Sequence, residues 1–216
     1  MTVLVACGLK REARIFDRPG RNLSVVIGGG NAAGLDRDLD AKAEMFPGLV
    51  LSCGIAGALA PSLQPGDVVI DGNVIVVERL EKALPHAHRG GIVGNDAIAA
   101  TAAEKRILHE RTGAIAVDME SHVAARVAVR KGLPFAALRV ISDRADDDLP
   151  PAALVGMRPD GGMALGAVLA SLARNPRQLP ALIRTGRQAD QAFRSLAQAF
   201  DAIIGAGIDR FGLPPR

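Results

Sequence analysis

The chain has no tryptophan and no tyrosine, and only two cysteines among its 216 residues. Without tyrosine or tryptophan it lacks the stacking platforms on which single-stranded nucleic acid is bound, and its net charge of +3 is only weakly basic. We therefore expect no nucleic acid partner. Cys7 and Cys53 both lie in apolar, strand-like segments, which predicts reduced and buried thiols and argues against a disulfide framework.

Long apolar runs and a secretion signal are also missing. No apolar run approaches the ~20 residues of a membrane-spanning helix, and no basic region precedes the short apolar run at residues 3–7. These absences predict a cytoplasmic protein without a signal peptide. His86 and His88 have no acid or cysteine beside them, so we expect a surface loop and no metal site at this position.

Short runs rich in valine, isoleucine and leucine alternate with helical patterns along the chain. Such runs are typical of strands buried on both faces, and their alternation with helices predicts an α/β fold around a mixed, largely parallel twisted sheet. The predicted strands cover residues 3–7, 23–27, 49–52, 68–70, 74–77, 115–117 and 135–141, with a hairpin-like antiparallel part over 66–77. The predicted helices cover residues 32–46, 102–112 and 121–131, before an amphipathic helical tail over 176–204. We expect residues 1–216 to form a single domain.

Carboxylates follow three of these strands, and ligands of an open α/β sheet bind beyond the carboxyl ends of its strands. Asp143 is expected to lose solvation, hold a proton near neutrality and act as a general acid; a turn or cap aspartate is the alternative. Glu120 offers two oxygens to a pair of vicinal hydroxyls, unless it is only a first-turn glutamate. Glu12 is a third candidate, with a solvated surface charge as the alternative.

Two short motifs, VDMES at 117–121 and VISD at 140–143, occur together with SCGIAGAL at 52–59 and the pair Gly66–Asp67. In combination they resemble the superfamily of purine nucleoside phosphorylases and methylthioadenosine/S-adenosylhomocysteine nucleosidases, over about residues 3–169. This resemblance implies a phosphorylase/hydrolase-like three-layer sandwich. The compact chain and the tail at 175–199 are most similar to the hopanoid-associated phosphorylases, which remove adenine from adenosylhopane in bacterial hopanoid synthesis.

The resemblance also implies a role for each matching residue. Asp143 would protonate or hydrogen-bond N7 of the purine, and Ser142 would help to position the base. Glu120 would hold the 2′ and 3′ hydroxyls, while Met119 would pack on the face of the sugar. Ile98 stands where the family often has an aromatic ring, so aliphatic packing would replace stacking on the base.

The nucleophile remains open at this stage. Glu12 matches a glutamate with which nucleosidases place water, whereas Ser52 matches the serine with which phosphorylases contact phosphate, and Gly8 and Gly30 offer backbone amides. The resemblance implies an enzyme of either type. Phosphorolysis of adenosylhopane is the first prediction, and hydrolysis of a methylthioadenosine-type nucleoside is the alternative. Neither a cofactor nor a metal is implied, apart from inorganic phosphate as co-substrate.

Other interpretations also stay open. Residues 28–33 satisfy a glycine-rich dinucleotide pattern, but no acid follows at the expected distance. Asp143 with the acids at 146–148 is a candidate magnesium site, for which a solvated loop is the alternative. A nucleotide-binding protein with a degenerate site is the non-catalytic alternative. We further expect at least a homodimer, and the basic tail helix either packs on protein or lies on the inner face of the membrane.

Overall fold

The structure, a computed structural model, describes residues 2–46, 48–156, 160–162 and 164–210. Its strands are β1 Val3–Cys7, β2 Leu23–Ile27, β3 Val50–Ala58, β4 Val68–Gly72, β5 His88–Arg89, β6 Ile92–Gly94, β7 Ala116–Asp118 and β8 Phe135–Asp143. Its α-helices are α1 Lys10–Phe16, α2 Ala32–Met45, α3 Val74–Ala83, α4 Ala102–Thr112, α5 Ser121–Lys131, α6 Pro151–Leu154, α7 Leu165–Arg174 and α8 Leu179–Gly205. Two 3₁₀ turns, Pro176–Gln178 and Ile208–Arg210, flank α8.

Within the described residues, one eight-stranded sheet organises the fold, with the main strand order β2-β1-β3-β8-β4-β5. The pairs β1–β2, β1–β3 and β3–β8 are parallel, whereas β4 runs antiparallel to β8, and β7 runs antiparallel to the end of β3. The predicted mixed, largely parallel sheet flanked by helices is therefore confirmed. Because most strands are parallel, the carboxyl ends of β1, β3 and β8 meet at one edge of the sheet.

The two faces of the sheet are buried under different helices. In β1, Val3 and Val5 pack in a core with residues of α1, α3 and α8, while Leu4 and Ala6 pack in a core with residues of α2 and α5. Successive side chains of a strand point to opposite faces, so a strand covered on both sides must be apolar at every position. This is why the strands read as continuous apolar runs.

The predicted hairpin over 66–77 is wrong, because residues 74–77 begin the helix α3. The Asn73 side chain accepts a hydrogen bond from the Ile75 amide at 3.1 Å and so caps this helix. Val76, Val77 and Leu80 are buried, whereas Val74 and Ile75 are exposed. That spacing is helical, and the antiparallel partner of β4 is β8.

The tail contains α8, Leu179–Gly205, and the two halves of this helix have different surroundings. In the second half of α8, seven residues are buried: Ala192, Phe193, Leu196, Ala199, Phe200, Ile203 and Ile204. They belong to the core that includes β1 and β8, and the ring of Phe200 lies 4.7 Å from that of Phe16. Packing on protein therefore accounts for this half. In the first half, Leu179 and Ile183 are exposed.

Across the described residues, no helix combines the length and the apolar character that a membrane span requires.

Candidate active site

A cavity of about 190 Å³ lies at the carboxyl ends of β1, β3, β7 and β8. Seven of the nine predicted site residues line it: Gly8, Glu12, Ile98, Met119, Glu120, Ser142 and Asp143. The seven come from four separate segments of the chain, which the fold brings together at one pocket. Ser52 and Gly30 are not among its lining residues.

Glu12, on the first turn of α1, is buried and only 2% exposed, so it is not a solvated surface charge. Its Oε2 accepts hydrogen bonds from the amides of Gly8 and Leu9, and its Oε1 accepts one from the Ile55 amide, all at 2.8 Å. Burial raises the pKa of Glu12, while Arg139 and the three amides oppose that rise. The result is a fixed carboxylate with an increased affinity for a proton.

Glycine at position 54 is required by this arrangement. A Cβ at Gly54 would lie 2.5 Å from Glu12 Oε1 and 2.6 Å from Arg139 Nη1. Any side chain there would displace both charged groups.

Arg139 is a site residue that the sequence reasoning missed. It is fully buried in β8, where its Nη2 contacts Asp118 Oδ2, lies 2.5 Å from Ser52 Oγ and 3.5 Å from Glu120 Oε2. Burial alone would lower the pKa of Arg139, but Asp118, Glu120 and Glu12 together raise it. The sequence did contain a signal for this residue. Arg139 stands within an apolar run that predicts a strand buried on both faces, and a buried charge requires partners.

The residues predicted to contact phosphate do not converge. The hydroxyl of Ser52 is fully buried and accepts a hydrogen bond from Arg139. Gly30 adopts φ +73° in the turn before α2. Only Gly8 lines the cavity, and its amide already donates to Glu12.

Glu120 stands at the N-cap of α5 without making a side-chain capping hydrogen bond. Its carboxylate projects toward the first loop, because a Cβ at Gly8 would lie 2.5 Å from its Oε1 and a Cβ at Gly28 would lie 3.4 Å from its Cγ. Burial raises the pKa of Glu120 to about 8; Arg139 opposes this rise, and Asp118 and Glu12 add to it. Two glycines thus leave space for a buried carboxyl group at the cavity wall.

Asp143 ends β8 and is 6% exposed. Its Oδ1 lies 2.7 Å from the Ser142 hydroxyl, and its Oδ2 lies 2.5 Å from the Nζ of Lys105. Lys105, on α4, is fully buried and was not identified from the sequence. Asp143 therefore has a buried cation as its neighbour, in addition to the desolvation expected from the sequence.

The acids after Asp143 have separate partners in the structure. Asp146 pairs with Arg144 at 2.9 Å, Asp147 accepts from the Gln188 amide at 3.0 Å, and Asp148 accepts from the Ala102 backbone amide at 2.8 Å. Within the described part of the chain, no group of three or more histidine, cysteine, aspartate or glutamate residues is arranged to hold a metal ion. These contacts account for the acidic run as loop and cap residues.

Glu120 makes the stability of the protein depend on pH. Its pKa is about 8 in the folded chain and 4.5 ordinarily, so between these values the folded chain holds a proton that the unfolded chain releases. The free energy of unfolding therefore falls as pH rises through this window, by at most about 1.4 kcal/mol per pH unit. We expect Glu120→Gln to match the wild type near pH 4 and to exceed its unfolding free energy at pH 9, as measured by urea denaturation. Glu110→Gln, on the exposed surface of α4, is the control, and identical pH slopes for wild type and Glu120→Gln would contradict the burial of this proton.

The comparisons with known proteins agree with this geometry. Residues 75–174 match the family described as the phosphorylase superfamily. The fold is similar to that of a 5′-methylthioadenosine/S-adenosylhomocysteine nucleosidase from Neisseria meningitidis bound to methylthio-immucillin-A. The TM-score is 0.69 at 17% identity, over 94% of this chain and 98% of that one.

Two further structures extend the likeness. An S-adenosylhomocysteine nucleosidase from Streptococcus pyogenes has a TM-score of 0.68 at 16% identity, over 100% of this chain and 98% of that one. Futalosine hydrolase of Helicobacter pylori has a TM-score of 0.62 at 14% identity, over 95% of this chain and 97% of that one. At these identities the structural matches establish the fold.

The family match covers the segment that contains Lys105, Glu120 and Asp143. Residues 75–174 therefore carry the sequence pattern of the phosphorylase superfamily, within a fold shared with the nucleosidases.

Proposed function

We propose that the protein hydrolyses the N-glycosidic bond of a purine nucleoside. The observation that carries this proposal is the position of two buried carboxylates along β3. Glu12 lies against Gly54, and Asp143 lies against Gly57, 3.2 Å from the position of its Cβ. At ~3.3 Å per residue, Gly54 and Gly57 are about 10 Å apart along β3. The pairing of β3 with β8 is irregular between Ala56 and Gly57, and both acids line the same cavity. That spacing leaves room for a purine at Asp143, and for the sugar carbon and a water molecule toward Glu12.

In this arrangement the base leaves from the Asp143 end of the cavity. As the bond between C1′ and N9 breaks, its electron pair passes to the purine, and a proton delivered at N7 through Asp143 makes the base a better leaving group. Ser142 holds the other oxygen of Asp143, at 2.7 Å. Ile98 and Leu149 line the cavity and supply aliphatic surface for the base.

At the opposite end, Glu12 is the proposed general base. It would take a proton from water while the water oxygen forms the new bond to C1′. Its raised pKa suits this task, because a stronger base removes a proton more readily. Glu120 would accept hydrogen bonds from the 2′ and 3′ hydroxyls, and Met119 would contact the sugar.

Water is better supported than phosphate as the nucleophile. Four acids line the cavity: Glu12, Asp118, Glu120 and Asp143. Among the described residues that line the cavity none is basic, so a phosphate dianion would find no cation there, while Ser52 and Arg139 are fully buried and already paired with each other. Phosphorolysis, the first prediction from the sequence, therefore stays a prediction with less support than hydrolysis.

A separate part of the proposal concerns the substituent that the nucleoside carries at its 5′ carbon. Similar structures include nucleosidases with methylthio-immucillin-A and with butyl-thio-DADMe-Immucillin-A, and these alkylthio groups agree with an apolar 5′ substituent. Adenosylhopane, with its large apolar ring system, stays the prediction drawn from the family resemblance. Such a substrate resides in a membrane, since its rings strongly resist transfer to water.

The surface that would meet such a membrane differs from the predicted apolar stripe. Residues 161–189 contain no acid and four arginines: Arg174, Arg177, Arg184 and Arg187. Leu165, Leu169, Leu179 and Ile183 are exposed in the same segment. Apolar side chains flanked by arginines suit an anionic lipid surface, so contact with the inner face of the membrane is proposed through α7 and the start of α8. A homo-oligomer of at least two chains stays a prediction.

One assay tests the nucleophile and the substrate together. We expect adenine release from methylthioadenosine in phosphate-free buffer, with free ribose derivative as the second product and no acceleration by added phosphate. Strict dependence on phosphate would overturn the hydrolytic proposal. In a second arm, adenosylhopane is presented in anionic vesicles at low and high salt. Turnover that falls with salt supports membrane contact, and no turnover overturns the hopanoid assignment.

A further inference from the structure

Lys105 is a buried charge that the proposed mechanism has not yet used. Its side chain is fully buried, and all three of its N–H donors have acceptors within the described residues. Nζ lies 2.5 Å from Asp143 Oδ2, 2.7 Å from the Arg144 carbonyl and 2.9 Å from the Asp147 carbonyl. A buried ion pair is seldom retained for stability alone, because desolvation of the two ions offsets their attraction.

We propose that Lys105 supplies, through Asp143, the proton that the departing purine receives. This inference rests on the proposed function. Lys105 does not line the cavity, so it is a positioning residue that acts only through Asp143, which does line it.

The proton balance of this step is complete. In the resting site Lys105 is an ammonium and Asp143 a carboxylate. As the bond from C1′ to N9 breaks and its electron pair moves into the purine, Nζ releases a proton to Oδ2, and Oδ2 passes that proton to N7. Lys105 becomes a neutral amine and the purine leaves neutral. The proton that water gives to Glu12 keeps the net charge of the site constant during the reaction. After product release, Glu12 loses this proton to solvent and Lys105 gains one from solvent.

The hydrogen bonds around Nζ fit both forms of the amine. The ammonium donates one proton to Asp143 and two to the carbonyls of Arg144 and Asp147. After transfer, the amine keeps its two donors to the carbonyls, and its lone pair faces Asp143. Two of the three hydrogen bonds of Nζ therefore persist through the transfer, and Oδ2 exchanges the hydrogen bond from Nζ for one from the N7–H of the purine.

Other charged groups near the pair are engaged elsewhere. On the loop after β8, Arg144 pairs with Asp146, and the side chain of Asp147 accepts from Gln188 and lies 3.6 Å from Arg184. On α4 itself, Glu104 accepts from the backbone amides of Ala100 and Thr101. Asp148 caps the start of the same helix. Asp143 is the carboxylate that contacts Nζ.

The test separates proton supply from charge and packing. Lys105→Met removes the proton, whereas Lys105→Arg keeps a cation that does not deprotonate in proteins. We expect both variants to lower kcat for a purine nucleoside by ~10²-fold or more, with little change in KM. Both should cleave 4-nitrophenyl β-D-ribofuranoside at the wild-type rate, since its leaving group needs no proton. Arg106→Met, at the adjacent exposed position of α4, is the matched control.

Several outcomes would overturn the inference. If Lys105→Arg retains wild-type turnover of the purine nucleoside, the lysine supplies charge and no proton. If the variants lose both substrates equally, Lys105 is structural. Where a variant folds poorly, or where the wild type does not accept the nitrophenyl substrate, a double-variant cycle decides: Lys105→Gln added to Asp143→Asn should cause no further loss, and additive losses would refute the coupling. A wild-type chain that releases no purine overturns the proposed function, and this inference with it.

Discussion

Replacing Asp143 with asparagine is expected to slow purine release by ~10²- to 10⁴-fold, which is the range of a positioned proton donor. Asparagine keeps the size of the side chain and its contact with Ser142, but it cannot pass a proton to N7. Without a proton at N7, the purine then has to leave as an anion. Binding of the nucleoside should be retained, so we expect the decrease in kcat and not in affinity. Steady-state adenine release measures kcat, and direct titration measures substrate binding.

The same substitution leaves Lys105 as a buried cation without its counter-ion. We therefore expect a loss of stability alongside the loss of rate, because an uncompensated buried charge is costly. Urea denaturation of the variant shows whether enough folded protein remains for the kinetic comparison. Asp146→Asn changes a neighbouring aspartate that pairs with Arg144 at the surface, and it should leave the rate unchanged. Near-normal turnover by Asp143→Asn would contradict proton transfer by Asp143 and leave it with only a structural role in the turn.

Replacing Glu12 with glutamine is expected to slow hydrolysis by ~10²-fold or more, since a neutral amide cannot take a proton from water. Glutamine also presents one NH₂ group where the carboxylate presents an oxygen. At least one of the donors Gly8, Leu9 and Ile55 then loses its acceptor, which costs about 1–3 kcal/mol of stability. Purine release without phosphate measures the first effect, and urea denaturation measures the second.

Assaying Glu12→Gln with added phosphate distinguishes phosphorolysis from hydrolysis. If phosphate is the nucleophile, removing a carboxylate from the cavity lowers the repulsion that this anion meets. Phosphate-dependent turnover by Glu12→Gln would then equal or exceed that of the wild type, and the hydrolytic proposal would be refuted. Glu110→Gln, on the exposed surface of α4, controls for the loss of one negative charge.

Much of the fold follows from local patterns in the sequence. The helix predicted over 102–112 has the predicted bounds, because Thr101 and Glu104 form a capping box and Gly113 ends the helix with φ +68°. The helix predicted over 121–131 also has the predicted bounds, and Gly132 ends it with φ +64°. These signals act within one turn of the helix that they start or stop, so they are readable without knowledge of the fold.

The error at residues 74–77 arose from the same kind of local reasoning. Val74 to Val77 are apolar at consecutive positions, which is typical of a buried strand but also occurs where a helix begins at a core. The strand predicted over 49–52 is likewise too short, because β3 continues to Ala58. Glycines remain in this strand because Glu12 lies against Gly54 and Asp143 against Gly57.

The sequence by itself determined the alternation of strands and helices, the helix ends, and the strand-end acids Glu12, Glu120 and Asp143, because periodicity and capping are local properties. Only the tertiary structure decided which buried cation meets which acid. Lys105 reaches Asp143 across 38 residues, and Arg139 reaches Ser52 across 87. Those contacts depend on how α4 lies over the end of β8 and on the register between β3 and β8, which no short stretch of sequence encodes. Desolvation is likewise a property of the assembled site, so the proton affinities of Glu12 and Glu120 arise only when the sheet and its helices have closed around them.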